Sequence, residues 1–122
     1  MQKIQDIYKA LGDFGCLIFC YLHEADIKVD IAKHFEKLVE LDIIDNDCYV
    51  LDGNRLLKYF GSDKRIARGI NYEGNTIVPY KYLNNEHFVI VDENKNIIFN
   101  SLEYSQCVRL GELKWEKFCF LV

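Results

Sequence analysis

The sequence predicts an α+β fold, with helices in the first half of the chain and an antiparallel sheet in the second. Up to Phe60 the apolar residues recur at helical spacing between residues that begin and end helices. Beyond Lys64 short β-rich runs alternate with turn residues, and the two runs on either side of residues 92–95 have the pattern of a hairpin. Helices followed by strands are typical of a helical layer packed on one face of an antiparallel sheet.

Helical periodicity and capping residues predict four helices. The second begins at Gly15 or Cys16, after a connection rich in turn residues. Asp30 is placed to cap the third helix and Asp52 to open the fourth, since a carboxylate at such a position accepts a free backbone N–H group. The predicted helices cover residues 2–11, 16–25, 31–43 and 54–60.

Runs of β-branched and aromatic residues bounded by turn residues predict the extended segments. Pro79 lies inside one of them and indicates an edge strand or an irregular approach, because proline donates no backbone hydrogen bond. No repeat or linker divides the chain, so we expect one domain over residues 1–122. The predicted extended segments cover residues 48–51, 65–70, 76–83, 86–91, 96–100, 107–110 and 115–122.

Composition and charge limit the class of protein. Half of the 122 residues are hydrophobic, which is enough for a substantial core. The formal net charge of -4 disfavours nucleic acid as a partner, and the short basic run at residues 64–68 is interpreted as a solvated turn and strand edge. No targeting signal and no apolar run long enough for a membrane span occurs, so we expect a cytoplasmic protein without a membrane partner. Its oligomeric state stays open.

Five cysteines, at positions 16, 20, 48, 107 and 119, are odd in number and irregularly spaced. This pattern favours free thiols in a reducing compartment over a disulfide framework. Cys16 stands apart because it opens an apolar helix, where unpaired backbone N–H groups and the helix dipole favour a thiolate. The sequence therefore predicts a nucleophile at Cys16; the alternative is a small buried residue that opens a core helix.

A histidine and an asparagine belong to the predicted hairpin. If Glu93 and Asn94 form a two-residue turn, His87 lies opposite Asn100 on one face of the sheet, with Cβ atoms roughly 4.5–5.5 Å apart. A three-residue turn would put the two on opposite faces. An imidazole held by an amide is the base that a cysteine nucleophile needs, so Cys16, His87 and Asn100 form a candidate catalytic set. The alternative for the histidine and the amide is an ordinary polar pair.

The order of these motifs resembles the papain-like cysteine peptidases. Gly15-Cys16 opens an apolar helix, His87-Phe88-Val89-Ile90-Val91 begins a strand, and Ile97-Ile98-Phe99-Asn100-Ser101 ends the next one. The chain is most similar to the compact bacterial branch that includes the double-glycine leader peptidases. The resemblance implies a papain-like topology, with Cys16 as nucleophile, His87 as general base and Asn100 as the orienting residue. The whole chain also resembles a small family of plasmid- and prophage-encoded spirochaete proteins, which implies no activity.

Two departures from the peptidase pattern bear on activity. Those peptidases usually carry a glutamine about six residues ahead of the cysteine as an oxyanion donor, whereas this chain has Ala10. The residue after the cysteine is Leu17, where many relatives have glycine or an aromatic residue. Both departures favour a retained fold with weak or no peptidase activity. As function we expect first a peptidase-like or amidase-like hydrolase acting on a peptide or protein, and as the alternative an inactive domain of the same fold that binds such a partner. A small DNA-associated protein is a third alternative, disfavoured by the acidic charge.

The helix that begins at Cys16 also carries possible metal ligands. Cys16, Cys20 and His23 share one helix face, which is a possible start of a zinc site. The spacing is not that of a structural zinc site and no second pair of ligands completes it, so we expect a buried stripe with neither metal nor cofactor.

Overall fold

The computed structural model describes residues 15–102, 105–113 and 118–122. The helix predicted at residues 2–11 lies outside the described residues. The predicted α+β class is confirmed, because short helices pack on a six-stranded sheet whose pairings are antiparallel. The helices are α1 (Cys16–Glu24), α2 (Phe35–Glu40), α3 (Gly53–Tyr59) and α4 (Gln106–Leu110). The strands are β1 (Ile66–Arg68), β2 (Thr76–Tyr82), β3 (Asn85–Val91), β4 (Ile97–Phe99), β5 (Glu112–Leu113) and β6 (Cys119–Leu121).

The predicted helix starts are confirmed where a side chain caps the backbone. Asp30 Oδ1 accepts the N–H of Ala32 at 3.2 Å, and Asp52 Oδ1 accepts the N–H of Arg55 at 3.1 Å. The segment after Asp30 is nevertheless a 3₁₀ turn over residues 31–34 followed by the short helix α2.

The helix predicted over residues 31–43, which corresponds to α2, is shorter than predicted. It ends at Glu40 because Asp42 takes a left-handed conformation with φ 57°, and the N–H of Ile43 then returns to the carbonyl of Leu38 at 3.0 Å. This is the bond that closes a helix with a left-handed C-terminal residue. Ile43 therefore enters the core from outside the helix, 2% exposed.

The sheet runs in the order β1-β6-β2-β3-β4, and β5 pairs with the end of β2. Pro79 lies in β2, an interior strand, so the edge position suggested by the sequence is wrong. The alternative suggestion, an irregular approach, fits: on its second side β2 pairs with β6 at Ile77 and with β5 from Tyr80, and Pro79 lies where the neighbour changes.

The segment predicted as a strand at residues 107–110 is instead α4. The carbonyl of Ser105 accepts the N–H of Arg109 at 3.2 Å, and the helix ends before Gly111. Four residues, of which three are apolar, do not distinguish a strand from a short helix, and the prediction from the sequence was therefore wrong. The segment predicted at 48–51 contributes one isolated bridge, between Ile44 and Val50.

Each face of the sheet carries its own core. Helix α1 packs on β3, and its face of the sheet presents Ile77, Ile90 and Cys119 to the larger cluster. The other face presents Val78 and Val89 to a smaller cluster beside α4. Within the described ranges no helix has both the length and the apolar character needed to cross a bilayer. The five cysteines are all free.

Candidate active site

The β3–β4 hairpin differs from its prediction in two places. Its turn has three residues, closed by a 2.9 Å bond from the N–H of Asp92 to the carbonyl of Asn96, with Lys95 at a φ of 66°. The predicted two-residue turn is therefore wrong. The Asp92 carboxylate favours the longer turn, because its Oδ1 accepts the N–H groups of Asn94 and Asn96, both at 2.9 Å.

A bulge in β4 cancels the effect of the longer turn on the register. Val91 pairs with Ile97 but Ile90 pairs with Phe99, so Ile98 is the extra residue. The longer turn and the bulge each shift the pairing by one residue, and together they return His87 and Asn100 to the same face. The predicted contact is thus present, in a different register from the one predicted.

The hydrogen bonds of Asn100 define the state of the histidine ring. His87 Nε2 lies 2.6 Å from Asn100 Oδ1, and the same oxygen accepts the backbone N–H of Leu102 at 3.1 Å. Because a backbone N–H only donates, the atom facing it is the amide oxygen, and Nε2 must also donate to that oxygen. In the neutral ring the proton therefore lies on Nε2, and Nδ1 carries the lone pair.

Burial favours the neutral form of the His87 ring. The residue is 5% exposed, and burial lowers its pKa from the ordinary value of 6.5, while the hydrogen bond to Asn100 opposes part of that decrease. Burial disfavours the charged imidazolium, whose solvation shell is lost. The lowered pKa thus favours the uncharged imidazole, and the bond to Asn100 selects the tautomer whose Nδ1 can accept a proton.

Cys16 occupies a free stretch of the β3 edge. The pairing with β4 reaches Ile90 and is not continued at Phe88. There the N–H of Phe88 donates to Cys16 Sγ at 3.4 Å, and the Cys20 thiol donates to the carbonyl of Phe88 at 3.5 Å. Two thiols one helical turn apart therefore satisfy the backbone that a further strand residue would otherwise pair, and they fix the start of α1 against β3.

Burial favours the thiol form of Cys16 and outweighs the predicted stabilisation of a thiolate at the helix start. Burial is the largest influence and raises the Cys16 pKa above the ordinary value of 9.0, and the charge of Glu86 adds to the rise. The backbone N–H groups of Phe88, Leu17 and Cys16 itself lower that pKa, as expected at a helix start, but by less. Desolvation depends on tertiary packing, which the local sequence does not reveal.

Cys16 and His87 line one cleft of about 720 Å³. Asn100 is not part of the cleft wall and holds the ring from behind. Both Cys16 and His87 lie in the described part of the chain, and no hydrogen bond joins the sulfur to the ring. The structure therefore brings the three predicted residues together at one site, with the thiol and the imidazole both uncharged.

Sequence reasoning missed part of this site. The cleft wall also includes Ser105, Gln106 and Cys107, at the start of α4, a helix that replaces the strand predicted over residues 107–110. It also missed the backbone of Phe88 as the partner of the thiol. The predicted gap in the oxyanion hole, at Ala10, lies outside the described residues.

The possible zinc face of α1 does not converge on one point. Cys20 is buried against Phe88, whereas His23 is exposed and stacks on Phe99 with ring centroids 4.4 Å apart. Within the described ranges no group of three histidine, cysteine or acidic side chains is arranged to hold a metal ion.

A family model matches nearly the whole chain. The family model DUF261, described as a protein of unknown function, matches residues 1–120. No curated protein and no solved structure matches the chain.

Proposed function

We propose that this chain, which belongs to the DUF261 family, is a cysteine hydrolase of papain-like topology that cleaves an amide bond in a peptide or protein. The observation that supports this proposal most is the tautomer of His87. Asn100 Oδ1 accepts the hydrogen bond of the Nε2–H group, so that Nδ1 is left as the proton acceptor of a ring that shares its cleft with a thiol.

Acylation follows from this arrangement. Cys16 Sγ attacks the carbonyl carbon of the amide and forms a C–S bond, while the thiol proton passes to Nδ1 of His87. The imidazolium then gives this proton to the amide nitrogen, the C–N bond breaks, and the amine leaves. Asn100 keeps the ring oriented and stabilises its charged form through Nε2. The products of this half are a thioester on Cys16 and a free amine.

Deacylation uses water and the same base. A water molecule attacks the thioester carbonyl and gives a proton to Nδ1 of His87. The C–S bond breaks, the sulfur takes the proton back from the ring, and a carboxylic acid leaves. A neutral thiol and a neutral imidazole are restored, which is the charge state that burial favours for both residues.

A second candidate is an inactive domain of the same fold that binds a peptide or protein. The raised pKa of Cys16 and the missing bond between the sulfur and His87 favour it, because an efficient cysteine peptidase keeps its thiol at least partly ionised. Either function is proposed for a cytoplasmic protein without nucleic acid or membrane partners, in keeping with five free cysteines and a net charge of -4.

Cleavage of a synthetic peptide mixture, followed by mass spectrometry, distinguishes the two candidates. The hydrolase predicts new amino termini that appear with the wild type, disappear with Cys16→Ser and fall at least about a hundredfold with His87→Gln. Cys107→Ser is the matched control, because it removes a thiol from the same cleft and should leave cleavage unchanged. Binding of peptides without cleavage, unaffected by Cys16→Ser, would favour the inactive domain.

A further inference from the structure

A second cleft, on the α1 face of the sheet, adjoins the cleft of Cys16. The two share Leu17, Val50 and Phe88 as wall residues. The second cleft has a volume of about 470 Å³ and reaches Arg68 on the edge strand β1. An extended ligand that covers Cys16 and passes over Leu17 and Val50 would therefore approach Arg68.

The register of the sheet determines the direction of the Arg68 side chain. Arg68 pairs with Cys119, Cys119 pairs with Ile77, and Ile77 pairs with Ile90. Directly paired residues of antiparallel strands share a face, so Arg68 lies on the same face as Ile77 and Ile90, the face that carries α1.

The effect of the guanidinium on its neighbours agrees with this placement. Burial raises the pKa of Cys119, and a hydrogen bond from Tyr21 and the positive charge of Arg68 oppose that rise. The Arg68 guanidinium is therefore close enough to Cys119 to lower the pKa of its thiol. Cys119 and Tyr21 both line the second cleft.

The charge of Arg68 has no acidic partner in ion-pair contact among the described residues. Asp52 lines the same cleft, but its Oδ1 accepts the N–H of Arg55 at the start of α3, where the helix dipole stabilises a carboxylate. The backbone at the start of α3 thus already stabilises the charge of Asp52. Arg68 has no such ion-pair partner among the described residues.

The surroundings of the second cleft are also basic. Asn54 is shared with a neighbouring cleft, in whose wall three basic side chains accompany one acidic one. These are Lys58, Lys64 and Arg65 with Asp63. In a chain of net charge -4, the wall of this neighbouring cleft is a local region of positive charge.

We propose that Arg68 binds a carboxylate of the substrate, so that the protein selects peptides with an acidic group near the scissile amide. Guanidinium and carboxylate match in shape and charge and form two parallel hydrogen bonds. This inference rests on the proposed function for its substrate, a peptide, but it concerns a different residue and a different contact.

The distance to be bridged suits a short peptide. Arg68 lies three strands from Ile90 of β3, about 14 Å at the usual spacing between strands. An extended peptide spans about 3.3–3.6 Å per residue. Three residues of extended chain, an acidic side chain and the long side chain of Arg68 together span this distance.

Affinity labelling of Cys16 tests this contact without requiring catalysis. Three iodoacetyl tripeptides are compared: iodoacetyl-Gly-Gly-Glu-amide, iodoacetyl-Gly-Gly-Gln-amide, and iodoacetyl-Gly-Gly-Gln with a free terminal carboxylate. The rate of Cys16 modification is followed by peptide mass mapping. We expect one of the two carboxylate probes to react about fivefold faster than the neutral probe at low ionic strength, as an ion pair at a partly exposed site provides. The faster one identifies a side-chain or a terminal carboxylate as the ligand.

Matched variants assign the preference to Arg68. Arg68→Gln should reduce the rate ratio to about 1 and Arg68→Lys should restore part of it, because lysine keeps the charge but lacks the fork. Arg65→Gln removes the same charge from the neighbouring cleft and should keep the ratio. Equal rates of all three probes with the wild type, or a ratio that survives Arg68→Gln, would overturn the inference.

The outcome is separable from that of the proposed function. The hydrolase proposal fails if no peptide is cleaved, whereas the inference about Arg68 is judged on ratios of alkylation rates alone. A ratio lost equally with Arg65→Gln and Arg68→Gln would indicate a general positive field and would also refute a specific contact.

Discussion

Replacing Asn100 by alanine tests the central pair of the site, because it removes two hydrogen bonds at one oxygen. The N–H of His87 Nε2, in a residue 5% exposed, loses its acceptor, and an unpaired buried donor costs about 1–3 kcal/mol. The N–H of Leu102 loses the same acceptor but belongs to an exposed residue and finds water. We therefore expect the free energy of unfolding to fall by about 2 kcal/mol.

Urea unfolding at pH 7.5, followed by circular dichroism, measures this change. Asn94→Ala is the matched control: it removes an exposed amide from the same hairpin, and we expect a change within about 0.5 kcal/mol. If Asn100→Ala destabilises no more than the control, the 2.6 Å contact contributes little and the assigned tautomer of His87 loses its support. If the protein is a hydrolase, cleavage should also fall, since the Nδ1-protonated ring accepts no proton from the thiol.

Three further predictions concern the charge states and the packing of the cleft. Stability should fall as pH decreases through 6.5, because unfolded His87 binds a proton there and folded His87, with its lowered pKa, does so only at lower pH; urea unfolding between pH 7.5 and 5 should show this slope, and His87→Gln should reduce it. The rate of Cys16 alkylation by iodoacetamide should rise through pH 9.0 without a plateau at neutral pH; a rate independent of pH between 6 and 8 would contradict the raised pKa. Gly111→Ala should destabilise by about 2–4 kcal/mol, because its Cβ would overlap the carbonyl oxygens of Lys81 and Cys107, whereas Gly61→Ala, in open space at a φ of 82°, should cost about 1 kcal/mol; similar thermal midpoints for both variants would refute the close packing of α4 on β2.

The features predicted correctly from the sequence are those that depend on contacts between residues close together in the chain. Asp30 and Asp52 each cap a backbone N–H group within three residues of themselves, so their effect is visible in a short window of sequence. The end of α2 was misjudged because Asp42 adopts a left-handed conformation, a choice that burial of Ile43 supports and local propensity disfavours. Helix α4 was missed because five residues carry too little periodicity.

In the candidate site, the contact between two side chains was predicted correctly and the ionisation of Cys16 was not. The pairing of His87 with Asn100 was predicted through a turn that the protein does not form, and the contact survives because the bulge at Ile98 restores the register. The ionisation of Cys16 was predicted from the helix start alone. Its raised pKa depends on how tightly α1 is covered by β3 and its neighbours, a quantity that exists only in the folded chain.

The thiols of Cys16 and Cys20 in α1 both hydrogen-bond to the backbone of Phe88, the residue after His87 in β3. One strand therefore positions both the nucleophile and the base. A displacement of β3 that moves the imidazole carries the sulfur with it, so their spacing is insulated from distortions elsewhere in the molecule. Substitutions in distant loops should accordingly alter what enters the groove more readily than they misalign the reacting atoms.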